Sequence, residues 1–367
     1  MPYPIFDRQR IRVKPLAERK HDMSVSDIML PDTEPPTISP VRMESLKNLA
    51  TRIKQARQLN KQVIISYGAH LIKNGLGPIL NELIKDGWVT TLCTNGAGTI
   101  HDWELAYFGK STENVRRYVG EGQFGIWDET GRYMNLAILL GAAENKGFGE
   151  SLGEMIEIDK LLIPSHFSLK DELARELRND SFDNDTFGAR AELLAFLKTH
   201  HLNAGAIDLQ HAYKEFSVLR TAFTHRVPLC VLPGIGYDII FTHPLMNGAA
   251  LGKAADRDFL TFANSQLDLD GGVYISIGSA IMSPMTFEKA RSMARNIARQ
   301  ENRSLDNTFI VVNDMQPAGD DWKIEPGKES PAYYLRFLKT FRRMHGEFEY
   351  IELDNREFLL NLMNLLK

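Results

Sequence analysis

Short runs rich in β-branched and aliphatic residues recur along the chain, and the intervals between them carry apolar residues three and four apart. This alternation restricts the fold severely, because strand, helix and strand in succession pack as a parallel sheet covered by helices. The strand runs are QVIIS (62–66), WVTTLCT (88–94), PLCVLP (228–233), VYISIG (273–278), TFIVVND (308–314) and EFEYIEL (347–353). Helical patterns cover 41–60, GPILNELIKDG with its glycine stop, a stretch opening at His101, and then 133–145, 149–161, 189–200, 211–224, 285–301, 331–344 and 355–366. The polar segment RNDSFDNDTFG reads as a loop. The expected fold is α/β, a doubly wound, mostly parallel sheet with helices on both faces.

The first forty residues depart from this pattern. They hold Pro2, Pro4, Pro15, Pro31, Pro35, Pro36 and Pro40 and no sustained period. Residues 1–40 are therefore expected to be an extended arm wrapping the body or a neighbouring subunit, and residues 41–367 a single α/β domain. A chain of 367 residues is long enough to bury a large core. Its net charge of −4 offers no basic surface for nucleic acid. The two cysteines, Cys93 and Cys230, fall in strand runs and form no disulfide framework. The charged N-terminus lacks the apolar core of a signal peptide, and no apolar run reaches the ~20 residues that span a bilayer. A cytoplasmic protein without membrane contact is expected.

Four loops could carry chemistry, each at the end of a strand run. After WVTTLCT come Asn95, Gly96, Ala97, Gly98 and Thr99, then His101 and Asp102 at a helix start. Small residues let a backbone approach a ligand, and helix-start amides attract anions, so the loop reads as a dinucleotide-phosphate cradle. It equally fits a tight turn in which Asp102 serves the helix dipole. After PLCVLP, Gly234 and Gly236 precede Asp238 and His243, a carboxylate and an imidazole placed to bind a cation or move a proton. A helix cap and a His243-Pro244 turn would give the same residues. YISIGSAIMSP is a third small-residue loop, and VVNDMQPAGDDWK supplies Asn313, Asp314, Asp320 and Asp321. A plain βα turn accounts for the third loop, and the acids of the fourth fit ordinary solvated loop residues. No HExxH, zinc spacing, GxSxG elbow or Walker lysine loop occurs, so no metal site is expected.

In this order, from about residue 45 to about residue 340, the segments resemble the deoxyhypusine synthase family, whose fold is Rossmann-like. That family uses NAD to transfer a butylamine group from spermidine to a protein lysine. The resemblance implies cofactor-binding roles for Asn95, Gly96, Ala97, Gly98, Asp102 and Asn313. It places Asp238 on an amine-gripping aspartate and makes Asp320, Asp321 and Glu329 polyamine-binding acids; His101, Asp238 and His243 are the candidate catalytic groups, with His101 or His243 as base. It further implies a homotetramer. Two departures bear on activity. Ser283-Pro284 stand where the family has a histidine, and Tyr333, Tyr334 and Leu335 stand where tryptophan, glycine and the imine-forming lysine belong. A leucine is no nucleophile, and Arg336 stays protonated. The expectation is a divergent member that binds NAD or a related nucleotide and a small cationic amine without making deoxyhypusine. Two alternatives stand beside it: an inactive oligomeric scaffold, and a sugar-phosphate isomerase-like protein.

Overall fold

The computed structural model describes residues 3–180, 182–318, 322 and 324–367. At its centre lies a six-stranded sheet. In chain order its strands are β1 (Val63–Tyr67), β2 (Thr91–Thr94), β3 (Leu229–Val231), β4 (Val273–Ile277), β5 (Phe309–Asp314) and β6 (Glu347–Glu352). They are the six runs read from the sequence. Every pairing is parallel, and the spatial order is β6-β5-β4-β1-β2-β3. From the opposite edge this is the 3-2-1-4-5-6 order of the Rossmann-like doubly wound sheet, with the reversal between β1 and β4.

Both faces are buried because successive side chains point opposite ways. Val63, Ile65 and Tyr67 enter one core layer, beneath the Pro40–Gln58, Gly77–Lys85, Gly96–Phe108 and Asn355–Leu366 helices. Ile64 enters the other, beneath the Gly248–Ser265, Met282–Gln300 and Arg336–Arg342 helices. There Phe262, Phe287 and Phe341 pack around the Tyr274 ring. Each phenylalanine contributes about 1.5–3 kcal/mol through burial. Cys93 and Cys230 are register partners on β2 and β3, buried and unbridged. No helix among the described residues is long and apolar enough to cross a membrane.

The N-terminal segment lies on the body of its own chain. Leu16 is buried in the core, Met23–Ser24 pairs antiparallel with Lys110–Ser111, and Asn361 Nδ2 donates to the Pro36 carbonyl at 2.9 Å.

Several boundaries differ from the sequence reading. The helix expected to open at His101 begins at Gly96. The 211–224 pattern resolves into a 3-10 turn, Lys214–Phe216, and a helix, Val218–Thr224. The 331–344 pattern becomes Pro331–Tyr334 and Arg336–Arg342. The sequence reading also contained no His166–Arg178 helix and no antiparallel pair of Lys160–Ile163 with Gly205–Asp208.

Candidate active site

In a parallel sheet the loops at the carboxyl ends of the strands share one edge. The four loops singled out above all begin there. At the reversal, β1 and β4 close tightly, Gly68 N–H donating to the Ile277 carbonyl at 3.0 Å, and β4 is tied in turn to β5 by Gly278 N–H donating to the Asn313 carbonyl at 2.9 Å. A Cβ on Gly68 would sit 2.1 Å from the Gly278 carbonyl oxygen, so this approach requires glycine.

The first two candidate loops meet through Asp238. The Asn95 side chain caps the Gly96–Phe108 helix, its Oδ1 accepting from Gly98 N–H at 2.9 Å. The Asp238 carboxylate accepts from Gly234 N–H at 2.8 Å and from Ala97 N–H. A Cβ on Gly96 would lie 2.7 Å from the Asp238 carboxyl carbon. Gly96, the first residue of the helix, thus lets a side-chain carboxylate reach the helix start, where the sequence reading places a phosphate. An anionic ligand at those amides would have to displace Asp238. Burial raises the Asp238 pKa, and the amides of Gly234 and Ala97 oppose that shift.

Asp238 and His101 line one cavity of about 190 Å3, together with Lys73, Glu113, Phe124 and Tyr237. Ligand pockets for drug-sized molecules are roughly 300–1,000 Å3, so this one suits a small metabolite or one end of a longer molecule. It has no room for a dinucleotide. His101 Nδ1 lies 2.8 Å from Ser111 Oγ. Ser111 Oγ donates at 2.7 Å to Glu104 Oε2, and Thr130 Oγ1 donates at 2.8 Å to Glu104 Oε1. Arg19, from the N-terminal segment, closes the group with 2.8 and 2.5 Å bonds to the two Glu104 oxygens. Arg19 and Glu104 are both buried. Although burial alone would raise the Glu104 pKa, Arg19 together with His101 and Ser111 outweighs it, and the carboxyl is held below its usual range. Burial lowers the His101 pKa to about 4.

The remaining candidates lie elsewhere. Asp102 is buried and does not line the cavity. Its oxygens accept from Ser217 Oγ at 2.6 Å, Val218 N–H at 2.8 Å and Leu219 N–H at 3.1 Å, so it caps the Val218–Thr224 helix. His243 is packed on Gly131, where a Cβ would meet its ring at 2.4 Å. Its Nδ1 accepts from Leu245 N–H at 3.1 Å. Asn313 is fully buried, and its amide donates to the Ile351 and Leu353 carbonyls at 3.0 and 2.9 Å. The Asn313 Oδ1 has no hydrogen-bond partner among the described residues. Glu329 is exposed on a turn, and Asp320 and Asp321 lie outside the described residues. Ser283 Oγ bonds the Tyr274 hydroxyl at 2.8 Å inside the core. Lys339, one turn beyond Leu335, stacks its ammonium 3.6 Å from the Tyr333 ring centroid and does not line the cavity.

Lys73, Glu104, Ser111 and Arg19 were absent from the sequence reading. Glu104 carries one local signal, standing three residues after His101 on the same helix face. Nothing near Arg19 marks it, since its partner is 85 residues away.

No family model matches the chain, and no curated protein matches it. Among solved structures it is similar to ArgZ, an arginine dihydrolase from the ornithine-ammonia cycle in cyanobacteria, at 15% identity over 90% of this chain and 33% of that one, with a TM-score of 0.43. It is similar to a conserved LOR/SDH protein from Methanococcus maripaludis S2 at 12% identity over 92% of this chain and 73% of that one, with a TM-score of 0.44. It is also similar to AgrE in a ternary complex with ornithine and NAD+, at 13% identity over 90% and 34%, with a TM-score of 0.41. The chain thus spans about a third of the length of ArgZ and AgrE. These are loose superpositions, and the chemistry of the cavity rests on its own residues.

Proposed function

We propose that the protein binds NAD or a related nucleotide along the carboxyl edge of the sheet, at the β1–β4 reversal, and a small cationic amine in the adjoining cavity. The observation that carries this reading is Asp238, a carboxylate fixed by two backbone amides on the wall of a cavity too small for a dinucleotide. A fixed acceptor beside a neutral imidazole suits the N–H groups of an ammonium. Strand-order reversal in such sheets is where a dinucleotide crosses the edge. On this reading the protein is a divergent relative of the deoxyhypusine synthases, homotetrameric like them, and makes no deoxyhypusine because Leu335 replaces the imine lysine. Any turnover is then direct amine oxidation or transfer, with His101 rather than the packed His243 touching the amine.

The test is mass spectrometry of small molecules released on denaturation, alongside calorimetric titrations with NAD and with a diamine such as putrescine. Binding of both supports the reading. Binding of neither overturns it in favour of an inactive scaffold, the reading that Leu335 favours.

A further inference from the structure

We infer that Ser111, Glu104 and Arg19 form a positioning relay that locks His101 in one tautomer, Nδ1 protonated, so that Nε2 presents a permanent lone pair to the cavity. The steps follow from counting donors and acceptors. Glu104 receives Arg19, Ser111 and Thr130, and an ionised carboxylate only accepts. The single hydroxyl proton of Ser111 is therefore spent on Glu104. Ser111 Oγ can then only accept from His101 Nδ1, 2.8 Å away, so Nδ1 carries the ring proton. Nε2 is left unprotonated, an acceptor on a ring that lines the cavity. The charged and titratable groups around the ring are Glu104 on the same helix, Lys73 and His70 on the Ala69–Lys73 helix, and Arg19 on the N-terminal segment. Burial first, and then the three of these that are cationic or can become so, disfavour a second proton on the imidazole, against the opposing charge of Glu104.

A free imidazole prefers the opposite tautomer, with Nε2 protonated, so the relay imposes a choice the ring would not make alone. The consequence is selectivity by hydrogen-bond sense. Asp238 and His101 are both acceptors, and a ligand group meeting both must be a donor, as a primary ammonium is. A carboxylate or phosphate in that place would meet two lone pairs. This last step rests on the proposed amine site, whereas the tautomer does not.

The two are separated by nitrogen NMR on the full chain with 15N-labelled histidine at neutral pH. The expected result is a protonated Nδ1 and a bare, pyridine-type Nε2 for His101. Ser111→Ala should shift the ring toward the Nε2-protonated form, and Ser111→Thr, which keeps the hydroxyl, should restore the native signature. A protonated Nε2 in the unaltered protein overturns the relay, as does an unchanged tautomer in Ser111→Ala. Adding putrescine should move the Nε2 resonance alone. Should it leave Nε2 unmoved with the tautomer intact, the amine site fails and the relay stands.

Discussion

Two aspartates near the same helix start have opposite fates, and the difference lies in what approaches them. Asp238 is held by amides on the cavity wall, whereas the three donors of Asp102 come from the start of the Val218–Thr224 helix. Asp238→Ala should therefore weaken putrescine binding in calorimetry by tenfold or more, the loss of one charge-assisted contact of about 1.5–3 kcal/mol. Asp102→Ala strands a hydroxyl and two amides in the interior. It should lower the urea unfolding free energy by about 1–3 kcal/mol and leave ligand affinity unchanged in the protein that remains folded. Unchanged stability in Asp102→Ala would show that the cap is idle. The sequence made both residues candidates because an acid near a helix start looks the same in either role. What separates them is a partner segment more than a hundred residues away.

The elements show the same division between local and distant causes. The positions of β1 to β5 were readable because both faces of these strands are buried, leaving largely apolar runs such as VIISY and VYISI, whereas β6 is half-exposed and is marked by its aromatic and β-branched residues. The Lys160–Ile163 strand alternates exposed and buried residues over only four positions, and its partner Gly205–Asp208 is mostly exposed, so neither carries such a run. Glycine misled at Gly96 and Gly98. It was read as a loop signal, yet both lie inside the helix, where Asp238 and the Thr94 hydroxyl leave no room for a Cβ. Close approach also governs the reversal. Gly68→Ala places a methyl group 2.1 Å from the Gly278 carbonyl and must push β1 and β4 apart. Overpacking of this kind costs about 1–3 kcal/mol. The expected outcome is a lowered unfolding midpoint together with lost NAD affinity, while putrescine binding in the cavity persists. Loss of putrescine binding with NAD binding retained would reverse the assignment of the two sites.

At the scale of the whole molecule, the N-terminal segment and the buried titratable groups decide how the fold responds to change. Arg19 ties the segment to Glu104 in the interior, and Arg19→Met leaves a buried carboxylate without its counter-charge. Breaking such a pair from one side costs about 3–5 kcal/mol, so the variant should unfold at clearly lower urea than the parent. A pH-dependent counterpart sits at the far side of the sheet. Asp258 accepts from Val231 N–H at 2.8 Å and Gly149 N–H at 3.0 Å, and burial pushes its pKa up to about 7. An unfolded aspartate titrates near ~3.9. Between those values the folded chain binds more protons at this site than the unfolded chain does, so its contribution is lost as pH rises toward 7 and is level above it. His21, His101 and His243, each lowered to about 4, act in the opposite sense between about 4 and their unfolded value. A single stability profile would blend the two trends. Comparison of the parent with Asp258→Asn cancels the histidines, which both proteins share. Asparagine keeps one acceptor and loses the titration. Asp258→Asn should therefore gain stability relative to the parent steadily from pH 4.5 until about pH 7, then run parallel. A constant difference across that range would mean that Asp258 is ionised throughout, its charge met by the amides of Val231 and Gly149 rather than suppressed by burial.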